Sequence, residues 1–183
     1  MEERKSYLDL ESIKEKICEG KIDAYEKLFK QTYPYLRSYA YKLLKNREAA
    51  EEIASDVLIN IWKRREELAA VKLFRAYLYK CTRNACYNYL RKGNNTAEEI
   101  NIISPADNST PESIYLNTEL KSHIQNAVLK LPPQCKACFV LVKEEGLSYR
   151  EAAQILSVSV KTVDAQIVIA LRKILKSLTM VLK

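Results

Sequence analysis

This sequence predicts an all-α fold of two small helical domains joined by a flexible linker, on three observations. Apolar residues recur at three- and four-residue spacing, and no segment sustains the period-two alternation of a half-buried strand. Only 3 of the 183 residues are glycine, too few for a turn-rich β fold or a glycine-rich phosphate loop, both of which need backbone that a Cβ obstructs. Charge is unevenly spread: residues 1–93 are net +6, 94–117 net −4 and 118–183 net +5, within a total of +7. The middle stretch has the Asn, Ser, Thr and Pro content of a loop, and a structureless run that long reads as a tether between domains. The expected division is therefore 1–93, an acidic linker 94–117, and 118–183.

In the first lobe, Asp23-Ala24-Tyr25-Glu26 has the N-cap acceptor and following Glu of a capping box. Asn46 can cap the next helix, along which Ala50, Ile53, Val57 and Ile61 recur at helical spacing. Arg65-Glu66-Glu67 and Ala69-Ala70 mark a loose junction before a helix over about 72–92. In the second lobe, Thr110-Pro111 starts a helix that runs to about Leu129. Leu131-Pro132-Pro133 breaks it, and proline is tolerated again at the start of the next. Gly146 ends that one, and Ser148-Tyr149-Arg150-Glu151 is a second capping box.

Composition excludes several classes of function. His123 is the only histidine, and the five cysteines are an odd number, as expected of reduced thiols. Cys135-Lys136-Ala137-Cys138 has zinc-ligand spacing but no second pair and no nearby histidine, so it reads as two small core residues. No nucleophile has a plausible base and no paired acids form a pocket; no enzymatic activity, catalytic residue, metal or cofactor is expected. No apolar run approaches the roughly 20 residues that span a membrane, and Met1-Glu2-Glu3-Arg4-Lys5 leads into no apolar signal core. A cytoplasmic protein without membrane insertion is predicted.

Three stretches carry chemistry. Over 146–176 a short helix, a turn at Ser157-Val158-Ser159 and a longer helix make a helix-turn-helix. Ala153 lets the two helices cross closely, while Val160 and Val163 are expected to plug the core. The turn opens on Ser157, where glycine is more usual. The second helix of such a unit enters the DNA major groove, N-terminal residues first. Lys161, Thr162, Asp164, Ala165, Gln166 and Val168 are its outward positions, with Arg172 and Lys173 beyond. Lys161 can meet phosphate, Gln166 an adenine edge and Asp164 a cytosine amine.

Residues 72–92 hold six basic side chains, no acidic one and five aromatic rings. Phe74, Leu78, Cys81 and Ala85 are expected to form the inward stripe, with Lys80, Arg83, Asn84, Tyr87 and Arg91 on another face. Interleaved cations and rings suit a separated nucleic-acid strand, since cations track phosphates and rings stack on exposed bases. A solvated basic face with core tyrosines fits the same pattern. On the helix 47–65, Glu52, Ser55, Asp56, Ile59 and Lys63 share one face, and Ile59 is an apolar residue stranded among polar ones. That suggests protein docking, although packing against 9–45 would also place it there. Trp62 reads as a core anchor.

At these residues the chain resembles a known family. Glu51-Glu52-Ile53-Ala54-Ser55-Asp56 through Trp62, then Phe74-Arg75-Ala76-Tyr77-Leu78-Tyr79 and Arg83-Asn84-Ala85, looks like region 2 of a bacterial sigma factor. Leu131-Pro132-Pro133-Gln134, Gly146 through Ala153, and Val160-Lys161-Thr162-Val163 look like region 4. Two such regions with only a linker between them are similar to the extracytoplasmic-function (ECF) group of the sigma-70 family. The resemblance implies a factor that binds core RNA polymerase and directs promoter recognition, strand opening and initiation. It implies that Glu52, Ser55, Asp56 and Ile59 meet polymerase, on a coiled coil of the β′ subunit, with the β subunit a further partner. It places the −10 element on Lys80, Arg83, Asn84, Tyr87 and Arg91, with Asn84 at a position that holds a flipped base. The −35 element falls to Lys161, Thr162, Asp164, Ala165, Gln166, Val168 and Arg172, and an anti-sigma factor is an implied partner. Ser55, Leu58 and Tyr77 depart from the Gln, Phe and Trp common in the family, and Asp164 stands where some relatives have Arg. From the residues alone, two other readings fit: a helix-turn-helix regulator with an N-terminal sensing or dimerisation domain, and a helical adaptor for acidic protein partners.

Overall fold

The computed structural model describes residues 9–93, 123–124 and 126–181, and all regular structure among them is helical. The chain divides into two units, Met1–Glu98 and Glu99–Lys183. The expected linker, 94–117, and the helix start expected at Thr110-Pro111 lie outside the described residues.

The first unit begins with α1 (Leu10–Cys18), which buries Leu10, Ile13 and Ile17. Gly20, at φ +78°, ends it in a paired turn: the Gly20 N–H bonds Ile17 O at 2.9 Å and the Lys21 N–H bonds Lys16 O at 3.0 Å. That turn feeds directly into α2 (Ile22–Leu44), whose N-cap is Lys21 with no side-chain bond. Asp23 therefore does not cap, as the sequence suggested. It sits inside the first turn, where its charge still faces the positive end of the helix. Asn46 caps α3 (Arg47–Lys63) as expected, its side chain accepting from the Ala49 N–H at 3.0 Å. The face of α3 that packs on α2 includes Ala50 and Ala54, both fully buried. The junction is a 3-10 helix (Arg65–Ala70) anchored by buried Leu68.

α4 (Phe74–Gly93) packs against both α2 and α3. Its buried side is Phe74, Ala76, Leu78, Tyr79, Thr82 and Cys86. This corrects the expected stripe: Cys81 and Ala85 are half-buried at its margin. Two packing partners pull the stripe toward 79, 82 and 86. Thr82 fits there because its hydroxyl donates to Leu78 O at 3.0 Å, leaving no orphaned donor in the core. Val160 needs a similar correction below.

In the second unit, Pro133 occupies the first turn of α5 (Pro133–Phe139). The helix then widens into a π segment, Val140–Glu144, closed by the Glu145 N–H on Val140 O at 2.9 Å. Gly146, at φ +63°, turns the chain into α6 (Tyr149–Leu156). Both bonds of the Ser148–Glu151 capping box are made. Ser157 takes a left-handed conformation, φ 57°, and the Val158 N–H reaches back to Ala153 O at 3.0 Å. α7 (Val160–Val181) follows, with Ser159 Oγ accepting from the Thr162 N–H at 3.0 Å. Val163, Ile167, Ala170 and Ile174 are its buried face. Val160 is 48% exposed and does not plug the core: as the first residue of α7 it precedes the crossing with α6 by a full turn. Among the described residues no single helix is long and apolar enough to cross a membrane.

Candidate nucleic-acid interface

α4 presents the five expected side chains outward. Asn84 and Arg91 are exposed, and Lys80, Arg83 and Tyr87 are half-buried; none is sealed in the core. Arg83 and Tyr87 act as one unit, since Arg83 Nε donates to Tyr87 Oη at 3.2 Å and the guanidinium lies 4.6 Å from the ring centre. Such a pair keeps a cation and a ring face at fixed spacing beside Asn84.

Asn84 also lines something the sequence did not reveal. A cleft of about 440 Å³ lies between α3 and α4, its polar lining formed by Asn60, Arg64, Tyr77, Asn84 and Asn88. Four of these come as i, i+4 pairs, Asn60 with Arg64 and Asn84 with Asn88, a pattern that places two amides or an amide and a cation on one helix face. Arg64 is held in a two-pronged bond by Glu67, with Nε to Oε1 at 3.0 Å. That bond raises the guanidinium's affinity for its proton and holds the Glu67 carboxyl below its usual range. Cys81 completes the wall, and burial pushes its thiol up, so it stays protonated and inert.

The start of α4 is clamped from α1. Glu11 Oε1 accepts the Phe74 N–H at 3.0 Å, Lys14 Nζ donates to Val71 O at 2.8 Å, and the two side chains pair at 2.6 Å. A helix N-terminus is thus capped by a residue 63 positions away. No local signal announces this, because the acceptor is on another helix.

On α3, Glu52, Asp56 and Ile59 are exposed, Ile59 by 41%, and Ser55 is half-buried with its hydroxyl turned back onto Glu51 O at 2.9 Å. The Ile59 patch therefore stands as the sequence suggested. Trp62 is half-buried, not central: it lies between the Tyr25 ring, 5.1 Å away, and the Arg65 guanidinium, 5.0 Å away.

On α7, Lys161, Asp164, Ala165, Val168 and Arg172 are exposed, with Lys173 and Lys176 continuing the positive face. Two expected readers are tied down. The Thr162 hydroxyl lies 2.8 Å from the Ser159 hydroxyl, within the cap of the helix. Gln166 is half-buried, and its Oε1 accepts from Cys135 Sγ at 2.8 Å. The two-pronged adenine pairing expected of Gln166 needs both ends of its amide, and one is engaged by α5. Cys135 and Cys138 are both buried, and burial pushes Cys138 up to about 11. Among the described residues no group of three His, Cys, Asp or Glu side chains is placed to hold a metal.

Two helical units, one with a polar cleft and one with a helix-turn-helix, define the class. The family model of Sigma-70 region 2 matches residues 28–96, and that of Sigma-70, region 4 matches residues 122–174. The chain belongs to the sigma-70 family, in its ECF group, whose members are non-enzymatic initiation factors. It is 27% identical over 151 residues to the ECF RNA polymerase sigma factor SigE of Mycolicibacterium smegmatis, covering 80% of this chain and 58% of SigE. It is 27% identical over 162 residues to SigW of Bacillus subtilis, covering 82% of this chain and 87% of SigW. The fold matches that of CnrH, solved with the cytosolic domain of CnrY, at a TM-score of 0.65 and 19% identity over 92% of this chain and 96% of CnrH. It also matches RpoE of Bartonella quintana, solved with the anti-sigma factor NepR, at 0.61 and 20% over 85% and 96%.

Proposed function

We propose that this chain binds core RNA polymerase in the cytoplasm and directs it to promoters, with the two units dividing the work. The first unit docks on the β′ subunit through Glu52, Ser55, Asp56 and Ile59, and captures the opened −10 strand along Lys80, Arg83, Asn84, Tyr87 and Arg91. The second reads the −35 duplex through the start of α7, near the β subunit. An acidic linker over 94–117 would join two weak sites into one stronger one, as a tether raises the effective concentration of each for the other. Its relaxed reach, roughly 25–35 Å, is comparable to one DNA turn of about 34–36 Å. An anti-sigma factor is the expected antagonist, in keeping with the complexes in which structural neighbours were solved.

The observation that carries this reading is the α3–α4 cleft with exposed Asn84 at its rim and the Arg83–Tyr87 pair beside it. The cleft is large enough for a single unstacked base, and its amides can bond a base edge. Purified core polymerase should start transcription at new sites on native DNA only when the chain is added. Asn84→Ala should cut strand opening about tenfold, the worth of a lost base contact, while polymerase binding is retained. Equal loss of both activities would assign Asn84 a purely structural role.

A further inference from the structure

The contact between Cys135 and Gln166 bridges 31 residues and joins α5 to the DNA-facing helix. Cys135 is 2% exposed and belongs to the core formed by Val128, Leu131, Ala170 and Ile174. Burial pushes its thiol up, with Lys173 opposing more weakly, so the sulfur carries its proton at neutral pH and acts as a donor. Its partners are acceptors: Gln166 Oε1 at 2.8 Å and, more distantly, Gln166 O at 3.6 Å. A protonated thiol facing the amide selects its oxygen and so settles which way round the amide stands. The Nε2 group, a donor with no acceptor capacity, is left on the solvent side. Gln166 is only half-buried, so that group remains within reach of a ligand on the helix surface.

We propose that Cys135 is a positioning residue that makes Gln166 a donor-only contact, one that accepts either purine where an untethered glutamine selects adenine. The chemistry follows from the base edges. Adenine is singled out by a glutamine that donates to N7 and accepts from N6, whereas guanine presents only acceptors, N7 and O6, on that edge. With Oε1 occupied, the amide has nothing to offer the adenine N6 amine and no reason to reject guanine. Cytosine, whose amine is a donor, meets another donor and is disfavoured. This inference rests on the reading that α7 contacts the −35 duplex.

The test uses holoenzyme assembled from the full chain and core polymerase, on promoters carrying each of the four bases at each −35 position. Gln166→Ala locates the base pair concerned, as the position where discrimination disappears. There the unaltered chain should use adenine and guanine within about twofold and cytosine markedly less. Cys135→Val, which fills the core but donates nothing, should sharpen the preference to adenine over guanine by about fivefold or more. Cys135→Ser, whose hydroxyl can still donate, should restore the purine tolerance. An unaltered chain that already favours adenine fivefold, or Cys135→Val with an unchanged pattern, overturns the inference. Should Cys135→Val fail to fold, the unaltered and Gln166→Ala promoter series still decide it. A holoenzyme indifferent to every change in the upstream element would instead overturn the proposed function itself.

Discussion

The two units bring polar groups to their surfaces by different means. In the first, α3 and α4 leave a concave cleft, and the side chains on its rim are supported from behind: Glu67 holds Arg64, Tyr87 holds Arg83, and Glu11 with Lys14 holds the start of α4. In the second, the presenting surface is the convex side of one helix, and support comes at the cost of reading capacity, since Thr162 and Gln166 spend hydrogen-bonding groups on their own fold. A concave site can enclose a displaced base and tolerate loose side chains around it. A convex one must match groups to a duplex edge and so depends on each amide's orientation.

The strongest test of this contrast is in the core of the first unit. Phe74 is fully buried at the clamped end of α4, and Phe74→Ala should cost about 3–5 kcal/mol in urea unfolding and abolish strand opening. Glu11→Ala comes next. It uncaps α4 and strands Lys14, and should cost about 1–2 kcal/mol, with opening weakened and −35 duplex binding by the same chain unchanged. If duplex binding fell as much, the clamp would not be particular to the first unit. Ser157→Gly should act in the opposite direction: relieving a left-handed serine ought to stabilise the second unit by about 1 kcal/mol, read as a higher thermal midpoint. The smallest effect is on pH. Glu51 is held below its usual 4.5 chiefly by the Arg47 hydrogen bond, and Glu67 likewise by Arg64. Carboxyls depressed in the folded state stabilise it above 4.5 and lose that contribution as pH falls through their lowered values. Both pairs are exposed, so Glu67→Gln should remove only a slight acid-side dependence, and a large one would mean that the cleft wall is more sheltered than its geometry indicates.

What the sequence disclosed follows how far each determinant lies along the chain. Caps made within three residues, at Asn46 and Ser148, were legible, as were the Ser157–Ser159 turn and the exposed Ile59. Asp23 misled because the turn at Gly20 had already started the helix. The inward stripe of α4 was misplaced by a few residues because helical spacing alone does not say that two neighbours, not one, press on it. Gln166 looked free because its partner lies 31 residues away, and Glu11 attracted no notice because the amide it caps lies 63 away. The outward face of α4 was recoverable; the cleft beside it was not, since half of its lining belongs to α3 and the turn after it.

The widened turn at Val140–Glu144 bears on length as well as shape. A five-residue ring in a helix of four-residue rings is one amino acid of slack. Deleting one residue there would tighten the turn to ordinary α geometry and swing everything downstream by about 100° and 1.5 Å. Cys135 lies upstream of that slack and Gln166 downstream, so their alignment depends on chain length between them as much as on their chemistry. A single-codon deletion within 140–144 would thus disconnect thiol from amide without altering either residue.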